Sequence, residues 1–407
     1  MSEHRRDFLK VSSLSIAPLF LPKIPLQKDL IDPESKKFPR LEIESLPTWV
    51  RQVWRQKPDL YLADSGRVNL VGQENNYEQH PIPLEQTFIT KRNKDLYYRG
   101  EYSSSQFIRT EDPKGIVLHW FGDSENWTKS NAPNMTAKEY IDAGFGTATS
   151  AAFLVGSEHV TPNLGLDDKV AIVQAELPLP DGKWSESAHA LFKDPQTDGK
   201  NPNQYLIVTG DLTTKYGILP RVETNNKYWG TRLGTHLQVM AKENIDSGFE
   251  NQLNTQTLGI EILGIDFFRR EDSPEIVQTA NVLGLLMTLG RKYGISGTDI
   301  LGHHEVDLSR GDPGVEFLFK MRLLYGLAPL INGDVSFAHD VYKPFLDAKF
   351  KVYALVDYFD YMEEMFDRTK TGRDGTKEEI IRFKNGLGIE KIKREIYRSG
   401  LLDFDLS

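Results

Sequence analysis

Short runs of apolar and β-branched residues, widely separated along the chain, predict a set of buried strands. The strongest is 257–263, and its apolar residues alternate around a single glutamate. A second run, 116–118, directly follows a turn that contains Asp, Pro and Gly. The same signals predict strands at 151–155, 205–208 and 300–301. Runs this short and this apolar are typical of buried strands.

Helices are predicted by capping signals and by apolar periodicity. A capping box that begins at Thr136 predicts a helix to about Asp142. Ser273 before Pro274 predicts the start of a helix that ends near Tyr293, with Ser273 as the cap. From about residue 341 apolar residues recur at helical spacing, and we interpret their stripe as core rather than as a partner groove. The stripe consists of Phe345, Val352, Leu355, Val356, Phe359, Met362 and Phe366.

The composition excludes several classes of protein. The chain of 407 residues has no cysteine, which excludes disulfide scaffolds, thiolate zinc fingers, iron–sulfur clusters and cysteine nucleophiles. The net charge of −9, from 49 basic and 58 acidic residues, argues against a broad nucleic-acid surface. No apolar run reaches the roughly 18 residues that a transmembrane helix needs, so we expect no spanning segment beyond a signal peptide.

The N-terminus carries a targeting signal. Arg5 and Arg6 precede Phe8 and an uncharged apolar stretch at 11–21. This segment resembles the twin-arginine (Tat) export consensus, which implies recognition by the Tat machinery and a periplasmic or extracellular location. A basic N-terminal helix that packs on the protein is the alternative.

The chain divides into four predicted regions. The signal peptide and linker occupy 1–30, and an N-terminal extension rich in aromatic residues occupies 31–110. A domain at 111–325 holds most of the predicted strands and includes a loop-rich insertion at about 156–235. The last region, 326–407, is predicted to be helical.

Four residues in or near the predicted strands are candidates for a functional site. His119 follows the strand at 116–118, Glu261 lies within 257–263, and His303 and Asp312 follow 300–301. Two histidines and an aspartate can bind a zinc ion and leave one position for water, as in catalytic sites. Because these residues lie far apart in sequence, spacing alone cannot show that they meet.

Structural roles remain open for the same residues. His119 could be a hydrogen-bonded histidine of the core, and Glu261 could form a salt bridge with Arg310 or another basic residue. Asp312 could simply begin a turn, because Asp before Pro is common in turns.

The segments GIVLHWFGDS, TLGIEILG and ILGHHEVDLSRGDPG together resemble the zinc-dependent N-acetylmuramoyl-L-alanine amidases of the type-2 family, which includes peptidoglycan recognition proteins. Members have a strand ending in His, a strand of the form IGIE, and a Gly-His turn followed by Asp-Pro-Gly, in this order. The segment TSAAFLVG resembles the strand that lines the family's substrate groove. The resemblance covers about 111–325 and implies an α/β fold with a central mixed β-sheet flanked by helices.

By position in these motifs, the resemblance implies that His119, His303 and Asp312 bind Zn²⁺. The family's ligand directly follows the glycine of the Gly-His turn, which favours His303 over His304. Glu261 takes the position of the catalytic glutamate, and Arg310 takes the place of a lysine found in many members.

The implied activity is hydrolysis of the amide between N-acetylmuramic acid and L-alanine, in peptidoglycan or a muropeptide. Two alternatives remain: a protein that binds peptidoglycan without cutting it, and a hydrolase of the same fold that acts on another amide. The chain departs from the family in three places, namely the alanines at 151–152, the arginine at 310 and the length of the insertion.

Overall fold

The structure is a computed structural model. It describes residues 38, 40–64, 66, 68–71, 112–121, 152–160, 170–174, 205–208, 221–224, 230–231, 257–263, 275–303, 312–346, 354–371 and 375–400. The twin-arginine segment, the helix predicted at Thr136, His304 and Arg310 lie outside these residues. Within them, no helix is both long enough and apolar enough to cross a bilayer.

The described strands and helices are as follows. The strands are β1 (Leu60–Leu62), β2 (Val68–Leu70), β3 (Gly115–Phe121), β4 (Phe153–Val155), β5 (Ile172–Gln174), β6 (Tyr205–Val208), β7 (Arg221–Thr224), β8 (Gly230–Thr231), β9 (Thr257–Leu263) and β10 (Ile300–Gly302). The helices are α1 (Thr48–Gln56), α2 (Ile276–Tyr293), α3 (Val315–Asn332), α4 (Val335–Leu346), α5 (Ala354–Thr371), α6 (Lys377–Leu387) and α7 (Ile389–Arg398).

A five-stranded sheet forms the centre of the fold. Its order is β10-β3-β9-β4-β5, and the strands from β10 to β4 pair in parallel. The last pair, β4 and β5, is antiparallel, so the sheet is mixed. Helices flank this sheet, which confirms the predicted α/β class. Strands β1 and β2 form a separate antiparallel ribbon, and β6, β7 and β8 form a small antiparallel sheet.

The two faces of the central sheet have different roles. Because side chains alternate along a strand, Ile116, Leu118 and Ile260 share one face, and they join the main hydrophobic core. Helices α2 and α3 supply much of the rest of that core. The opposite face carries the residues between them, including His119 and Glu261, and is also buried.

The two flanking regions predicted from the sequence pack on the same core. Leu41 donates its backbone N–H to the carbonyl of Leu330 at 2.9 Å. The indole N–H of Trp49 donates to the carbonyl of Leu387, also at 2.9 Å. The described parts of 31–110, 111–325 and 326–407 therefore contribute to one hydrophobic core, which extends from Leu41 to Ile396.

The strands predicted at 116–118, 151–155, 205–208, 257–263 and 300–301 are confirmed, with shifts of a few residues at their ends. β3 continues beyond His119 to Phe121. The stretch predicted as an insertion contains β5, which is an edge of the central sheet.

Helix starts were predicted less well. The start of α2 at Pro274 is wrong, since the helix begins at Ile276 with Glu275 as its N-cap. Its end at Tyr293 is confirmed, and Gly294 follows in the left-handed conformation. The C-terminal helices begin before residue 341, because α4 starts at Val335.

Candidate metal centre

The register of the parallel strands brings the predicted site residues into one row. His119 on β3 lies opposite Glu261 on β9. On the other side of β3, Gly302 lies opposite Leu118, so His303 follows β10 at the level of His119. Neighbouring strands lie about 4.8 Å apart. The two histidines and the glutamate therefore occupy adjacent strands on the same face of the sheet.

Asp312 completes this group from the start of helix α3. It is followed by Pro313, through a cis peptide bond, and by Gly314, which is the N-cap of α3. Gly314 has φ 89°, a conformation that favours glycine. This turn places the Asp312 carboxylate beside the histidines, and its side chain is buried. The alternative prediction, that Asp312 begins a turn, is correct for its backbone. It does not account for the contacts of the Asp312 carboxylate with the two histidines.

Both imidazole rings present the same nitrogen to Asp312. Nδ1 of His303 lies 2.8 Å from Oδ2 of Asp312, within hydrogen-bond distance. Nδ1 of His119 lies 3.6 Å from the same oxygen. The ring centroids of the two histidines are 4.3 Å apart. One carboxylate oxygen and two imidazole nitrogens thus converge in a small buried volume.

The histidines determine the charge state of Asp312. Burial by itself raises the pKa of this carboxyl, but the interactions with His119 and His303 outweigh burial and hold the pKa well below its usual range. Asp312 is therefore ionised at neutral pH. An ionised carboxylate is the form that binds a metal.

The donor set fits a metal ion. Among the described residues, His119, His303 and Asp312 form a buried group whose ligand atoms all lie within 4.8 Å of one another. Two donors on a tetrahedral zinc ion, each about 2.0 Å from it, lie about 3.3 Å apart. The observed separations of 2.8 and 3.6 Å bracket that value. This group could hold a metal ion, and imidazole with carboxylate suits zinc among other divalent metals.

Glu261 lies beside this group without belonging to it. Its side chain is 4% exposed, and its strand position makes it the neighbour of His119 on the side away from β10. Leu154 on β4 is its other neighbour in the row. A buried carboxylate next to a candidate metal site is well placed to exchange protons with a molecule bound there.

Side chains of α2 fix the strand ends near this row. The amide of Gln278 donates to the carbonyls of Leu263, at 2.6 Å, and Val155, at 3.2 Å. The amide of Asn281 donates to the carbonyl of Glu158 at 2.8 Å. These bonds bind the carboxyl ends of β9 and β4 to one helix, which holds the two strands in register.

Sequence reasoning identified four residues that the structure brings together. His119, Glu261, His303 and Asp312 meet as the motifs suggested, and this proximity could not be deduced from spacing. It missed Arg322 on α3, whose Nε donates to the carbonyl of Ile300 at 2.8 Å. The available signal was a basic residue between the apolar residues Met321 and Leu323.

Comparisons with known proteins found no relatives for this chain. No family model matches it, and searches of curated proteins and of solved structures found no similar protein.

Proposed function

We propose that the protein is a zinc-dependent amidase that hydrolyses the bond between N-acetylmuramic acid and L-alanine in peptidoglycan. The observation that carries the proposal is the convergence of His119, His303 and Asp312 beside Glu261. The three motifs that resemble the amidase family supply these four residues in the family's order. The motifs are defined by sequence alone, so the proximity of their residues in one buried group is a separate observation that supports the resemblance.

The metal and the glutamate have complementary roles in this proposal. In a site with three protein ligands, Zn²⁺ lowers the pKa of water to about 7 and polarises a carbonyl group. Glu261 accepts the proton of the attacking water as the C–O bond forms. It then returns that proton to the nitrogen as the C–N bond breaks, so that one water is consumed and an acid and an amine are released.

Two further parts of the proposal depend on residues outside those the structure describes. Arg310, from its position in the motif, would stabilise the negative charge on the carbonyl oxygen. As an arginine it keeps its charge at any working pH, unlike the lysine found in many family members. The twin-arginine segment would direct export, which agrees with a substrate in the cell wall.

One variant separates the enzyme from a binding protein. Glu261→Gln keeps the size of the side chain and removes the base, so zinc content and affinity for peptidoglycan should stay the same. The release of L-alanyl peptides from purified cell wall should fall by about 10²–10⁴-fold. Glu275→Gln is the control, because Glu275 is exposed and its side chain makes no capping bond.

The outcomes distinguish the three candidate functions. An unchanged rate in Glu261→Gln would rule out this residue as the base. A wild-type protein that binds peptidoglycan but never cleaves it would be a recognition protein. A zinc-loaded protein that cleaves other amides but not cell wall would be a hydrolase with the proposed mechanism and a different substrate. A fall in the thermal midpoint together with the rate would indicate a structural role for Glu261.

A further inference from the structure

A buried arginine links the two chain segments that carry His303 and Asp312. Arg322 lies on α3, two turns after the helix start that follows Asp312. Its Nε donates a hydrogen bond of 2.8 Å to the backbone carbonyl of Ile300, the first residue of β10. His303 directly follows the last residue of β10. A single guanidinium therefore joins the helix that begins at one candidate ligand to the strand that ends at another.

This bond matters because β10 is short. The strand has three residues, and among the described strands it lies at the edge of the sheet and pairs with β3. Its position along β3 decides whether His303 stands level with His119. A charge-assisted bond to a buried carbonyl is stronger than a neutral one. Arg322 is therefore suited to fix β10 against α3.

The side chain of Arg322 is buried between α3 and α5. It is 4% exposed and lines a small cavity together with Leu318, Met362, Met365 and Thr369. A buried cation is costly unless its polar groups are hydrogen-bonded. The hydrogen bond to β10 supplies one such partner.

We infer that Arg322 is a positioning residue for the metal centre, which sets the distance between His303 and Asp312 without contacting either. This inference rests on the metal site of the proposed function, although not on the amidase activity. Second-layer groups that orient ligands typically change metal affinity by about 10–100-fold when they are removed.

The test measures metal affinity directly. Arg322→Met keeps an unbranched side chain that suits the methionines around it. Zn²⁺ affinity, measured by competition with a chelator, should fall about tenfold or more. The visible spectrum of the Co²⁺-loaded protein should change, because the donor geometry is altered. Arg322→Lys keeps a donor that can reach the carbonyl of Ile300, and it should recover part of the affinity.

Two controls remove similar bonds that do not join α3 to β10. Arg40→Met breaks a bond of the same chemistry, from Nε to the carbonyl of Ile331 at the other end of α3. Tyr342→Phe breaks a buried bond to the carbonyl of Gly326 on the same helix. Both controls should keep the affinity for Zn²⁺ and the Co²⁺ spectrum.

Several results would overturn the inference. It fails if Arg322→Met binds Zn²⁺ within twofold of the wild type. It also fails if either control loses as much affinity, since general destabilisation would then explain the change. If Arg322→Met does not fold, the same readings are taken on Arg322→Lys, which should bind Zn²⁺ more weakly than the wild type with an altered Co²⁺ spectrum; wild-type affinity and spectrum in that variant would refute the inference. If the protein binds zinc but has no amidase activity, the measurements of Zn²⁺ affinity and of the Co²⁺ spectrum still test the role of Arg322.

Discussion

Zinc should stabilise the native protein, and His303→Ala should abolish that stabilisation. The structure offers three donors in one buried group, so this variant leaves two. Structural zinc sites with four ligands bind with roughly 10–16 kcal/mol, or about 2.5–4 kcal/mol for each ligand. The expected loss of affinity is therefore about 10²–10³-fold, since about 1.4 kcal/mol corresponds to a factor of ten.

The change in stability follows from this loss. At a free zinc concentration one hundred times the dissociation constant, binding stabilises the native state by about 2.7 kcal/mol. A hundredfold weaker site at the same zinc concentration leaves about 0.4 kcal/mol, and a thousandfold weaker site leaves almost nothing. The rise in thermal midpoint on adding zinc should accordingly be clear in the wild type and nearly absent in the variant.

The measurement is the difference between thermal midpoints with and without zinc, taken within each variant. This comparison is needed because His303→Ala also removes the hydrogen bond to Asp312, which by itself costs about 1.5–3 kcal/mol. His159→Ala is the matched control, since His159 is exposed and outside the site. His304→Ala tests which histidine of the Gly-His turn is the ligand.

Two results would refute the reasoning. A zinc-dependent rise of the same size in His303→Ala and in the wild type would show that the ion binds elsewhere. A rise that survives in His303→Ala and disappears in His304→Ala would transfer the ligand role to His304.

Two further predictions concern packing and export. Gly290→Ala should lower the free energy of unfolding by about 1–3 kcal/mol in denaturant titrations, because a Cβ there would collide with the Tyr325 hydroxyl. Gly386→Ala, on an exposed helix position with nothing within 4 Å, should raise it by up to about 1 kcal/mol; equal effects would contradict the packing argument. Arg5→Lys combined with Arg6→Lys should leave the protein in the cytoplasm in cell fractionation, because a receptor reads the pair and not its charge. Normal export of that double variant would reject the twin-arginine interpretation.

The strands of the central sheet could be predicted because their local signals agree. β9 was predicted with its bounds, since alternating apolar residues and β-branched side chains indicate the same segment. Glu261 was assigned to the face opposite Ile260 by the same alternation. The pairing of β3 with both β9 and β10 could not be predicted, because it depends on contacts between distant segments.

The first part of helix α3, residues 315–325, was not predicted to be helical, and the burial of the helix explains why. Nearly all of its residues are buried, so apolar residues occur on all sides of the helix and the period that reveals an amphipathic helix is weak. Pro329 inside it also argues against a helix at the level of sequence. The same burial hid the role of Arg322, which becomes visible only when its contact with Ile300 is known.

The parallel pairing of β3 with β9 and β10 has a consequence for folding kinetics. The candidate ligands come from chain segments that are close only after these long-range pairings form, and such pairings are slow compared with helix formation. In the unfolded chain His119 is far from His303 and Asp312. A metal ion would therefore bind the unfolded chain much more weakly than it binds the native protein. During refolding, metal occupancy would therefore follow the rate at which the sheet assembles around β3 and not the rate at which the helices appear.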